Sequence, residues 1–292
     1  MGNLLAIIGI QVCIYVILVI SANLTIGMTN LLSLCQAAFY GVGAYIGAKL
    51  LIQFNLPFLL ILLFVMLGTG CMSLLVSYAS IKLKGDYFIL GTLGFQTVVC
   101  AILYNWIPVT NGSFGLLNVP KIKLLNLFSL DNNIAFFFFV FGVTVCVVWF
   151  FARLQKSPYG RVLKAIRSDE ISAQSLGRNI NKMKIWAFFI SAAFTGVAGV
   201  FYASSRGSVY PSSFPLDESI FIITALFVGG VGTRIWGPVA GAFVMIVLPQ
   251  IFLLFGLPDS VAANLRQVIF GLVLIVLMFV KPQGLFGDAK MK

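Results

Sequence analysis

The side chains able to do chemistry fall into two groups, and neither has the make-up of a catalytic site. The first is the soluble-looking stretch SPYGRVLKAIRSDEISAQSLG, residues 157–177, which carries Ser168, Asp169, Glu170, Ser172, Ala173, Leu176 and Gly177. From Arg153 to Lys184 lie eight of the chain's 19 Lys and Arg against two acids, Asp169 and Glu170, so a net +6 of the formal +11 is concentrated there. The second group is a set of neutral polar side chains inside apolar runs: Asn30, Ser33, Gln36, Tyr45, Thr92 and Gln96. Charge in a loop fixes orientation or docks a partner, whereas polar groups inside spans bond helices together or line a weakly polar passage. The chain has no histidine and few ionisable groups in the middle of its apolar runs, which weighs against a proton relay. Its five cysteines, Cys13, Cys35, Cys71, Cys100 and Cys146, stand singly in apolar segments and read as small hydrophobes. No disulfide, metal or cofactor is expected. No GxxxxGK[ST] phosphate loop occurs, so the chain does not hold ATP in that way.

The elements that must position these residues follow from a mean hydropathy of +1.05 and repeated apolar runs. A helix needs about 20 apolar residues to cross about 30 Å of hydrocarbon, and the runs have that length. Backbone groups in lipid must be satisfied internally, and continuous runs without alternation exclude a barrel. The expected fold is therefore all-α: a polytopic transmembrane helix bundle of about eight or nine spans, one domain over residues 1–292, with loop 153–184 as its charged excursion. Leu4–Ile20 reads as a retained first span, without a basic leader or small-residue cleavage site. Asn23–Phe54 reads as one broken or tilted helix, followed by runs from Pro57, Tyr87, Ile134, Ile185 and Ser219, and a last one over Ala262–Val280. Asn105–Asn133 reads as a loop with some structure of its own. The segment GGVGTRIWGP splits Ser219–Gly256 into two spans or a hairpin. Lys and Arg asymmetry places loop 153–184, Lys82, Lys84 and the tail with Lys281, Lys290 and Lys292 on the cytoplasmic side of a cell membrane. Arg206, Asp217 and Glu218 then fall on the outer side, where a partner could sit, and read first as solvated loop charge.

Within the charged loop, Ser157 followed by Pro158 has the chemistry of an N-cap and first helical position. Ser168 is expected to cap a second short helix, with Asp169 and Glu170 in its first turn and Gly177 as a left-handed stop. Small residues at four-residue spacing, Gly43/Gly47, Ala192/Gly196, Gly199/Ala203 and Gly237/Gly241, suit close helix approach in lipid; about half of these pairs are expected to be packing faces by design. On charge alone, the loop reads equally well as a topogenic element touching anionic headgroups.

The run SPYGRVLKAIRSDEISAQSLGRNINKMKIWAFFISAAFTGVAGVFYA resembles the loop and span of the inner-membrane permease subunits of branched-chain amino-acid ABC importers, the LivM type. LLSLCQAAFYGVGAY (residues 31–45), KGDYFILGTLGF (84–95), YPSSFPLDESIFIITALFVGGVGTRIWGPVAGAF (210–243) and KPQGLFG (281–287) match in the expected order. The chain departs from that pattern at Cys35-Gln36, where the family often has Gly-His or Gly-Gln, and at Ser172, where Ala is common. The resemblance implies that Ser168, Asp169, Glu170, Ser172, Ala173, Leu176 and Gly177 form a cytoplasmic coupling helix. It also implies separate ATP-binding subunits, a second homologous permease and an extracytoplasmic solute-binding protein, with the lipid bilayer as surroundings and no nucleic acid. Asn30, Ser33, Gln36, Tyr45, Thr92 and Gln96 are then candidates for the solute path. A urea or short-amide permease of the same family, and an ion-driven carrier or channel, are the alternative readings.

Overall fold

The structure is a computed structural model that describes residues 2–254 and 271, apart from 55–56, 81–82, 84, 125–127, 130–131, 176, 178 and 233–234. The run Ala262–Val280, save Gly271, and the tail with its KPQGLFG segment lie outside the described residues, as do Lys82 and Lys84. Eleven helices follow one another in the described part: α1 Gly2–Thr29, α2 Gln36–Phe54, α3 Phe58–Ser80, α4 Asp86–Asn105, α5 Ile107–Thr110, α6 Asn133–Lys156, α7 Pro158–Ser168, α8 Glu170–Ser175, α9 Ile180–Arg206, α10 Leu216–Gly229 and α11 Trp236–Leu254. Among the described residues, seven segments are long and apolar enough to cross a membrane: α1 to α4, α6, α9 and the stretch 211–229 that ends in α10. α11 adds a further apolar helix. The protein is an all-α, multi-pass membrane bundle.

The first break comes later than the sequence led us to expect. α1 does not end near Ile20 but runs on to Thr29, so the polar residues from Ser21 onward belong to it rather than to a broken Asn23–Phe54 helix. The reason is local: Ser21 Oγ donates to Ile17 O, Thr25 Oγ1 to Ala22 O and Thr29 Oγ1 to Thr25 O. Hydroxyls that bond back to the preceding turn satisfy themselves without ending a helix. The true break is at Asn30, in the left-handed region at φ 57°, after which residues 30–35 run without helix to α2.

α9 is the axis of the bundle and packs against α1, α2 and α3. Its inward face is built of small residues, among them Ala187, Ala192, Gly196, Ala198 and Ala203, all buried. Lipid supplies no hydrophobic drive between helices, so close approach through small residues must supply the contact. A Cβ added at Gly199 would meet Tyr40 O at 2.4 Å, and one at Gly241 would meet Ala225 O at 2.0 Å. At Gly43, Gly47, Gly196 and Gly237 an added Cβ would meet another atom at 2.4 to 2.8 Å, a side chain at Gly47 and Gly196 and backbone at Gly43 and Gly237, so all four small-residue pairs serve packing, more than expected.

At one end of the bundle, two-residue strands β1 (Leu116–Leu117) and β4 (Ser208–Val209) pair antiparallel, and β2 (Lys123–Leu124) pairs with β3 (Phe128–Ser129). The β1–β4 ribbon ties the α5–α6 connection to the end of α9. The charged loop, which joins α6 to the start of α9, therefore sits at the opposite end. α10 and α11 form a hairpin around Gly230 and Gly232, at φ 108° and 155°.

Candidate functional site: a bolted elbow and a capped helix break

The charged loop folds as an elbow of two short helices. Ser157 Oγ accepts from Gly160 N–H at 3.2 Å and donates to Leu154 O at 2.7 Å, and Pro158 opens α7. Gly160, Leu163 and Ile166 turn inward at three-residue spacing while Arg161, Ala165 and Ser168 are exposed, so α7 is amphipathic and lies against the bundle. Three contacts bolt the elbow down. Tyr159 Oη donates to Met183 O at 2.9 Å, Arg167 Nη1 donates to Gly27 O, and Lys184 Nζ pairs with Glu170 Oε1. Burial holds the Arg167 guanidinium below its usual pKa and pushes the Tyr159 phenol above its own. Gly27 O is among the last four carbonyls of α1, which no intrahelical partner reaches, and a cation there also complements the helix dipole. On α6, just before the elbow, Arg153 stacks over the Trp149 ring at 5.5 Å.

Ser168 is not the cap of α8. It is the last residue of α7, and its Oγ bonds back to Lys164 O at 3.2 Å. The junction falls on Asp169, extended at φ −158°, whose carbonyl accepts from Ala173 N–H at 3.2 Å. Asp169 and Glu170 are exposed, Ala173 is buried, and Gly177 is left-handed at φ 74°. Leu176 lies outside the described residues, as does the side chain of Ser172. An open cleft of about 760 Å³ separates the elbow from the α1–α2 break, lined by Asn30, Arg167, Asp169, Gln174, Asn179 and Lys184 among others.

The ion pair is lopsided: the Lys184 side chain is 9 % exposed and that of Glu170 48 %. Glu170→Gln strands a nearly buried ammonium and is expected to cost about 2 kcal/mol, whereas Lys184→Met leaves a half-solvated carboxylate and costs about 1 kcal/mol or less. Thermal melting of the purified chain checks the order; equal shifts would contradict it.

The polar residues inside the spans gather where α2 begins. Leu34 N–H donates to Thr92 Oγ1 at 3.1 Å, Cys35 N–H to Ser33 Oγ at 3.4 Å, Ala37 N–H to Ser219 Oγ at 2.9 Å and Ala38 N–H to Gln96 Oε1 at 2.6 Å. The start of α2 is thus capped chiefly by side chains of α4 and α10, because a helix that begins inside the bundle has no water to serve its free N–H groups. Gln96 Nε2 also donates to Phe214 O at 3.2 Å. Gln36 bridges to α9 through Ser191 and Thr195, and Ser191 Oγ donates to Ser21 O at 2.7 Å. Ser33, Gln36, Thr92 and Gln96 are brought together, fully buried. Asn30 stands apart on the cleft, and Tyr45 reaches Val209 O of β4 at 3.4 Å.

Sequence reasoning missed the partners Ser191 and Thr195, whose i, i+4 spacing on α9 was the available signal, and Ser219 of α10, for which no local signal existed. It also missed Asn23, which grips the turn after α10 from both sides, donating to Gly232 O at 3.1 Å and accepting from Gly232 N–H at 3.4 Å. Glu218 is not in a solvated outer loop: it belongs to the first turn of α10, is half-buried and accepts a hydrogen bond from Tyr15.

The family model of the branched-chain amino acid transport system permease component matches residues 4–278. The chain is 30 % identical to the high-affinity branched-chain amino acid transport system permease protein LivM of Escherichia coli (strain K12), over 93 % of this chain and 67 % of that protein. The LivM protein of Salmonella typhimurium gives the same figures. A probable branched-chain amino acid transport permease protein LivM of Methanocaldococcus jannaschii is 26 % identical over 72 % of this chain and 62 % of its own length. No solved structure matches the chain significantly. A continuous match over nearly all the spans, joined to a bundle whose one large charged excursion is a bolted elbow, leads to one conclusion: the chain belongs to the family of permease components of branched-chain amino acid transport systems.

Proposed function

We propose that the chain is a transmembrane subunit of an ABC importer for branched-chain or other hydrophobic amino acids, driven by ATP-binding subunits that dock on the α7–α8 elbow. On this reading it pairs with a second homologous permease and receives solute from an extracytoplasmic binding protein. The elbow and the C-terminal tail face the cytoplasm, as the concentration of Lys and Arg favours. The observation that carries the reading is the three-point anchoring of the elbow to α1 and α9. A short helix held by Tyr159, Arg167 and Glu170 passes a push to the bundle instead of yielding to it, and α9 relays the push to α2 and α3 through its small-residue face.

Asp169, Glu170, Ala173 and Gly177, with Ser168, Ser172 and Leu176, are the proposed docking segment. Ser33, Gln36, Thr92 and Gln96 become path residues only where α2 parts from α4 and α10; Asn30 already borders the cleft, and Tyr45 belongs to the far end. A weakly polar path suits a subunit whose partner selects the solute. The test is uptake per ATP hydrolysed in the reconstituted complex. Glu170→Gln combined with Gly177→Ala is expected to lower that ratio at least about tenfold, because the ion pair is lost and Ala is strained at a left-handed position, while insertion into the membrane stays normal. Unchanged coupling, or solute accumulation by vesicles holding this chain alone, would remove the docking role.

A further inference from the structure

α6 turns one face, with Phe136, Val140, Thr144, Val147 and Phe151, into the bundle, where it packs against α1. Its opposite face is uncovered. Phe141, Val145, Trp149, Arg153 and Lys156 are all exposed and follow one another at three- or four-residue spacing, so they form one continuous stripe along the helix. The stripe changes character along its length. Ile134 to Ala152 carries no charge and spans about 27 Å at about 1.5 Å per residue, close to the ~30 Å of hydrocarbon in a bilayer. Arg153 and Lys156 therefore emerge at the edge of that layer, one and two turns beyond Trp149, whose amphipathic ring suits the boundary itself.

At that edge Trp149, Ala152, Arg153, Lys156 and Ser157 line an open groove of about 720 Å³. The Arg153 guanidinium stacks over the Trp149 ring at 5.5 Å, which holds the cation at the rim without supplying a counter-charge. Among the described residues neither Arg153 nor Lys156 forms an ion pair. No Asp or Glu occurs between Asp131 and Asp169, a stretch with five Lys and Arg, so the chain on either side of the groove adds positive charge and no negative.

We propose that this groove holds the headgroup of an anionic phospholipid, its phosphate received by Arg153 and Lys156 and an acyl chain laid along Trp149, Val145 and Phe141. The length fits: a chain of one leaflet covers half the hydrocarbon layer, about 15 Å, and the helix rises about 16 Å from Ala152 back to Phe141. Charge and apolar stripe select together, because a soluble anion would use the groove alone and a neutral lipid the stripe alone. A basic groove at the end of a membrane helix is suited to lipid phosphate. Ser157 both lines the groove and caps α7, so the lipid sits at the corner where the elbow leaves α6. The site is independent of the solute and of the motor that the chain serves.

The experiment uses the full chain in phosphatidylcholine nanodiscs with stepped content of brominated phosphatidylglycerol or, in parallel, brominated phosphatidylcholine, and reads the tryptophan emission that Trp149→Phe removes. Bromine quenches an indole that it touches. Half-quenching of Trp149 is expected at an about tenfold lower mole fraction of the anionic lipid, since each cation at the surface adds to the attraction. Trp106, exposed just beyond α4, should not distinguish the two lipids. Arg153→Gln with Lys156→Gln is expected to bring the lipids level at Trp149, whereas Arg206→Gln, at the opposite end of the bundle, should keep the tenfold preference. Glycerol phosphate, a headgroup without chains, should displace no lipid. Equal quenching of Trp149 by both lipids in the unsubstituted chain overturns the proposal. Displacement by glycerol phosphate overturns it by assigning a soluble anion, and protection of Trp149 from both lipids on binding a second permease overturns it by assigning a subunit contact. If the double variant does not fold, the contrast between Trp149 and Trp106 in the otherwise unsubstituted chain decides.

Discussion

Gly43→Val is expected to abolish recovery of folded protein. A Cβ at position 43 would lie 2.4 Å from Gly196 Cα and 2.6 Å from Gly196 O. Both obstacles are backbone atoms, so no side chain can swing away and the α2–α9 contact itself must open. Overpacking a tight core costs about 1–3 kcal/mol for extra methylenes that neighbours can accommodate, and here they cannot. We expect about 3 kcal/mol or more, which shifts the folded fraction by about two orders of magnitude. Gly142→Ala is the matched control: nothing lies within 4 Å of its added Cβ, and the exchange removes a helix-weakening residue worth about 1 kcal/mol. Size-exclusion profiles of detergent-extracted protein after graded heating separate the two, and a monodisperse Gly43→Val peak at the parental melting temperature would refute the close-contact argument.

Gln96→Leu is expected to be nearly as damaging, and for a different reason. One carboxamide serves two buried backbone groups, accepting from Ala38 N–H at 2.6 Å and donating to Phe214 O at 3.2 Å. A leucine fills similar space but strands Ala38 N–H, at about 1–3 kcal/mol, while Phe214 O is left with the Cys100 thiol at 3.2 Å. Tyr45→Phe removes only a bond of 3.4 Å, beyond the usual range of an O–H donor, and should move the melting temperature little. The comparison also bears on function. A residue that only lined a passage would alter uptake when changed and leave the melting temperature alone; Gln96 should alter the melting temperature first.

How much of this was legible beforehand depended on the range of the interactions. The elbow was read nearly in full, because Ser157, Pro158 and Gly177 act on backbone within three or four residues of themselves. It was misread at Ser168, where two bonding options compete: capping the helix ahead or bonding back to Lys164 O, and the second prevailed once α7 extended one residue further. The first break was misplaced because Ser21, Thr25 and Thr29 look like loop residues in composition while behaving as helix residues in their hydrogen bonds. The polar residues in the spans were identified individually, but their grouping was not, since Thr92 and Gln96 serve α2 from 58 residues away and Ser219 from 182.

Composition and local spacing by themselves determined that the chain is an all-helical membrane bundle with a charged elbow, because lipid leaves the backbone few options and capping chemistry is short-ranged. Only the tertiary structure decided that α2 starts inside the bundle on borrowed caps, that α9 is the packing axis, and that Glu218 is half-buried against Tyr15 instead of in outer solvent. Those outcomes depend on which distant side chain meets an unsatisfied group or an open glycine face, and that is set by the packing of whole helices against one another.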